Sequence, residues 1–149
     1  MSEVLLRVLE RIHGHLGWLA AAALVHPVLL LRRPGRRAPL ATSLATALIT
    51  LAGGIGIGIY PEYRARLKQE IFIHAPAIGW TFERKEHLAA GAVVLAWAGL
   101  AAHLATLRLG EGKARTDLWR ASRIAYAGSA LLAIVTGVLG IIVASYKSF

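Results

Sequence analysis

The chain has 149 residues, a length suited to one domain. It is 56% hydrophobic with 17% charged residues, too apolar for an ordinary soluble globule, and it has no cysteine, which excludes disulfides, Cys-ligated iron–sulfur clusters and c-type haem attachment. The net charge of +9 is concentrated between apolar runs, a distribution that fits membrane topology and argues against nucleic acid as a partner.

Four stretches lack Asp, Glu, Lys and Arg: residues 12–31, 38–61, 87–107 and 124–146. Each reaches the roughly 20 residues that cross a bilayer core of about 30 Å. The expected fold is all-α, a four-helix transmembrane bundle running up-down-up-down, with residues 1–149 forming a single integral-membrane domain. Ahead of the first span, Glu3, Arg7, Glu10 and Arg11 alternate with apolar residues. Residues 4–12 therefore read as an amphipathic lead-in and not as a cleaved signal.

The first span carries Pro27 directly after His26, which predicts a kink near Ala23, because proline offers no N–H to the carbonyl one turn back. Arg32, Arg33, Pro34 and Gly35 are expected to stop it, and Arg36 and Arg37 extend the basic loop. The second span holds Thr42, Ser43, Thr46 and Thr50, then Gly53, Gly54, Gly56 and Gly58. In a membrane such glycines admit close approach of another helix or a flat ligand. No strand precedes them and no Lys-Ser/Thr follows, so a phosphate-binding loop fits poorly.

The connection over residues 62–86 is balanced in charge. Residues 63–73 predict a short interfacial helix ended by His74, Ala75 and Pro76, with Trp80 and Phe82 at headgroup depth. The third connection holds Arg108, Lys113, Arg115, Arg120 and Arg123 against Glu111 and Asp117. The two basic loops are thus expected in the cytoplasm, with the balanced loop and both termini outside, as in a bacterial inner membrane. The fourth span has glycines at 128, 137 and 140, and Tyr126 and Tyr146 as interface anchors.

The histidines carry the functional signal. His15 and His26 fall in the first span, His87 and His103 in the third. Intramembrane His normally faces a bundle interior, a cavity or a cofactor, and imidazole is the usual protein ligand of haem iron. The first and third spans run in the same direction and face each other diagonally across an up-down bundle. Two cross-core pairs are therefore expected, His15 with His87 and His26 with His103, each able to ligate one haem iron. His15 and His26 are eleven residues apart and share a face within about 20°. His87 and His103 are sixteen apart, about 160° around a straight helix, which strains the two-site scheme. Gly91 and Gly99 are expected to leave room for a porphyrin beside His87 and His103, and His13 and His74 read as exposed.

With four spans and His15, His26, His87 and His103, the chain resembles the small four-helix membrane b-type cytochromes. The resemblance implies haem b, one or two per chain, contact with a quinone, and electron transfer to or from a partner protein or larger membrane complex. His74, Tyr63 and Trp80 mark the outer loop as the place for a quinone. Two other readings stay open: a haem-free metal- or proton-handling membrane protein, and an accessory subunit that packs into a larger complex through its glycine-rich faces.

Overall fold

The computed structural model describes residues 2–33 and 38–146. Pro34, Gly35, Arg36 and Arg37, expected to stop the first helix and complete its basic loop, lie outside the described residues. Helix α1 (Glu3–Leu30) starts at Ser2, whose hydroxyl accepts the Leu5 N–H at 3.3 Å. It continues unbroken from the charged lead-in through the apolar run, and it stays helical through Pro27, whose ring is buried.

Helix α2 (Pro39–Arg66) and helix α4 (Pro76–Thr106) both begin with proline, where the missing N–H would have had no partner anyway. Between them lies α3 (Lys68–His74), and α5 (Lys113–Tyr146) closes the described chain. The short helix of the outer connection is present and ends at His74–Ala75 as expected, but its neighbours are longer than the apolar runs. Helix α2 continues five residues past Pro61, and α4 starts at Pro76 instead of at residue 87. Charged residues outside a membrane do not stop a helix, and the Lys68–Glu83 ion pair at 2.6 Å ties α3 to the early turns of α4. The same holds for α5, extended back to Lys113 with Lys113 and Asp117 paired across one turn at 2.8 Å.

Helix α4 packs most extensively on α5; α1 lies against α2 and α5, and α2 against α4, which puts α1 and α4 at opposite corners. The order of contacts fixes the register. Along α1 and α2, Glu3 meets Arg66 and His13 meets Ala52. Along α4 and α5, Ala92 meets Ser129 and Gly99 meets Ser122.

The interior is made of small residues, chiefly Ala20, Ala21, Ala45, Ala92, Ala96 and Ala130 around Leu24 and Tyr126. Hydroxyls stitch it together by donating to carbonyls of other helices: Ser129 to Ala92 at 2.7 Å, Ser122 to Gly99 at 2.8 Å and, across the bundle, Tyr126 to Thr42 at 3.0 Å. Large apolar side chains point outward instead, among them Leu51, Val94, Leu131 and Ile141. Small residues and interhelical hydrogen bonds inside, with bulky aliphatics outside, is the distribution expected where lipid is the solvent. α1, α2, α4 and α5 are each long and apolar enough to cross a membrane.

Candidate functional site

The six histidines divide by face. His103 is 0% exposed and accepts the Ala38 N–H at 3.1 Å through Nε2, which satisfies a donor at the start of α2. That bond places the ring proton on Nδ1, an atom with neither partner nor exposure. Buried Trp119, on α5, has an equally unpartnered Nε1–H.

His13 is the second inward imidazole. Its Nδ1–H donates to the Ala52 carbonyl at 2.9 Å, and its ring lies against Gly56, where a Cβ would stand 2.9 Å from Cε1. His13 is therefore half-buried and not exposed as expected. The sequence carries the reason: it lies seven and eleven residues before Ala20 and Leu24, on the face those core residues share. Of the four glycines in the second span, Gly56 seats His13 and Gly53 seats Val93, while Gly54 and Gly58 face open space.

The other four are exposed. His15 donates from Nδ1 to the Arg11 carbonyl at 2.7 Å, and His87 does the same to the Glu83 carbonyl at 2.7 Å. Each bond fixes the tautomer and leaves Nε2 with its lone pair, the arrangement in which a histidine ligates a metal. His26 shares the outer face of α1 with His15, and His74 ends α3.

The cross-core pairs His15–His87 and His26–His103 do not form. Only His103 of these four faces the interior, because the inner stripes of α1 and α4 are set by Ala20, Leu24, Ala92, Ala96 and Leu100. On an ideal helix His87 lies about 180° from Ala96, and His15 about 140° from Ala20. The shared face of His15 and His26 is present, but it is the outer one. Gly91 and Gly99 make no room beside an imidazole either: they receive Leu132 and the Tyr126 ring. Between α1 and α4 the space is occupied by core side chains, among them Ala20, Leu24, Ala92 and Ala96. Among the described residues, no three His, Asp or Glu side chains gather as a metal group.

At the end of the bundle beside α3, beyond the apolar spans, polar and aromatic groups converge. Tyr63 and Phe82 stack with centroids 3.7 Å apart, and Tyr60 lies next to both. Burial pushes the Tyr63 hydroxyl up to about 12, with the Glu83 and Glu86 carboxylates adding to it. Burial also raises Glu86, and the bond to Glu83 raises Lys68. A cleft of about 290 Å³ opens here between α1 and α2, lined by Glu3, Arg7, Glu10, Glu62, Tyr63 and Arg66. Of His74, Tyr63 and Trp80, expected around a quinone, Tyr63 is buried, whereas His74 and Trp80 are exposed.

No family model matches this chain, and neither a curated protein nor a solved structure is similar to it.

Proposed function

We propose that the chain is a membrane electron-transfer protein that holds haem b on the outside of its bundle, through imidazoles of α1. The observation that carries this reading is the pair His15 and His26: one exposed face, within an apolar span, with the tautomer of His15 already fixed by Arg11. An imidazole turned toward hydrocarbon is costly unless something covers it, and a cofactor or a protein partner does so. Haem, when bound, supplies one-electron redox chemistry; the chain supplies nitrogen ligands, an apolar surround and fixed ring orientation. His87 presents its Nε2 in the same way on α4 and is a further ligand candidate. His103 has its Nε2 committed to Ala38 and serves the fold.

The order of interhelical contacts supports helices that alternate up and down across the bilayer. The basic clusters Arg32–Arg33 and Arg108–Arg123 support cytoplasmic placement of those ends, with the α3 side outside, in a bacterial inner membrane. A redox partner, a larger complex and a quinone belong to this reading as the source and destination of electrons. An accessory packing role is the second reading, favoured by the open glycine faces at Gly54 and Gly58.

The test is the reduced-minus-oxidised absorption spectrum of the full chain purified in detergent from haem-replete cells. The expected result is a b-type signal that acidified organic solvent removes. A colourless protein refutes the haem reading and leaves the packing reading.

A further inference from the structure

Two buried N–H groups at the end of the bundle remote from α3 have no acceptor among the described residues: Nδ1–H of His103 on α4 and Nε1–H of Trp119 on α5. His103 is 0% exposed and Trp119 8%. The register brings them to one level. Helices α4 and α5 run antiparallel, with Ser129 bonded to Ala92 and Ser122 bonded to Gly99. One turn further along the same buried faces, four residues past Gly99 and three before Ser122, come His103 and Trp119. Each rung above them is closed by a hydroxyl donating to a carbonyl. This rung holds two donors.

The missing partner is an acceptor with no hydrogens of its own to place. His103 is a donor at Nδ1 because its Nε2 takes the Ala38 N–H, and an indole N–H can only donate. The carbonyls around the pair are already taken up by hydroxyls: Gly99 by Ser122, Ala38 and Pro39 by Thr42, and His103 by Thr106. A bridging water would serve both donors and strand its own two hydrogens. An anion accepts from both and leaves nothing unpaired. The charges agree with an anion. Arg115 and Arg123 stand one turn to either side of Trp119, within about 40° of it around α5. Both are half-buried, and among the described residues neither is ion-paired. Asp117, the carboxylate nearest in sequence, is held by Lys113.

We infer that His103 and Trp119 form a binding site for a small monovalent anion of chloride's size, held by the imidazole Nδ1–H and the indole Nε1–H. The anion would join α4 to α5 and, through the His103–Ala38 bond, to the start of α2. Nothing in this site depends on haem.

A ligand that binds only the folded bundle raises its thermal midpoint in step with the logarithm of its concentration. The full chain in detergent is melted in sodium chloride and in sodium gluconate at equal ionic strength, since gluconate is too bulky for a closed site. The expected result is a higher midpoint in chloride that climbs with chloride concentration, and loss of that difference in Trp119→Phe. Isotope-labelled indole nitrogens give a second readout in the unmutated chain. Chloride is expected to move the Trp119 N–H signal until it saturates. That signal is identified as the slowest to exchange with solvent, because Trp18, Trp80 and Trp97 are exposed. Equal midpoints in the two salts overturn the site and leave a water between the donors. A chloride shift that Trp119→Phe retains, or a Trp119 signal that chloride does not move, also overturns it and leaves anion binding at surface arginines.

Discussion

Whether an imidazole points into the bundle or out of it depends on its phase relative to small residues on the same helix. His13 is in phase with Ala20 and Leu24 and turns inward, and residue 56 is glycine where the ring arrives. Gly56→Ala would place a methyl carbon 2.9 Å from a ring anchored on the Ala52 carbonyl. The predicted cost is about 1–3 kcal/mol, the range for overpacking a filled interior, read as a lower thermal midpoint in detergent. Gly58→Ala is the control: nothing lies within 4 Å of a Cβ there, and its midpoint stays level or rises slightly.

At the scale of elements, the corner where α3 meets α4 gathers Lys68, Glu83, Lys85, Glu86 and His87. Burial raises the Glu86 carboxyl, the neighbouring Glu83 adds to that, and Lys85, Lys68 and His87 oppose it. A carboxyl with a raised value in the folded state holds its proton more tightly there than when unfolded. Stability from this group is thus fullest below the unfolded value of about 4.3 and declines as pH rises through the raised one. Glu86→Gln is predicted to melt higher than the parent near about pH 7 and level with it near about pH 4. A larger gap at the acid end would contradict the assignment. The raised Lys68 follows the same direction at higher pH: its contribution is complete below about 10.4 and fades only above that, so it leaves the acid side unchanged.

The four spanning helices were legible from charge-free runs alone, because a run of about 20 apolar residues has few alternatives. Their true ends were not, since charged turns such as residues 76–86 and 113–123 extend helices into water at no cost in burial. The phase of α1 was readable in part: the eleven-residue spacing put His15 and His26 on one face, but which face is inside depends on Ala20, Ala21 and Leu24. Hydrophobicity assigns the inside in soluble proteins, and here Leu and Val lie mostly outside while Ala, Ser and Thr fill the core. Weighting small residues over large ones places His13 inward and His87 outward.

For the molecule as a whole, orientation in the membrane follows from where the basic residues cluster. Reporter fusions after Arg33 and after Gly112 are predicted to report the cytoplasm, and one at Ala75, between α3 and α4, the outside. The reverse pattern would overturn the placement of the α3 cleft on the outer surface. The proposed site adds a constraint that the fold alone does not: ligands lie on the outer surface of one helix, so the bundle and the cofactor separate in their response to mutation. His103, with its bond to Ala38, belongs to the bundle; His15 and His26 are exposed, and the proposal assigns them to the cofactor.

That separation is measured most directly by the ratio of haem to protein in single variants purified from haem-replete cells. Haem is expected to be lost from His15→Ala and from His26→Ala with helicity and thermal midpoint unchanged. The opposite is expected for His103→Ala, a protein less stable by about 1–3 kcal/mol, the cost of leaving a buried donor unpaired, with its haem ratio retained. Haem lost from His103→Ala while both α1 variants keep theirs would contradict this assignment.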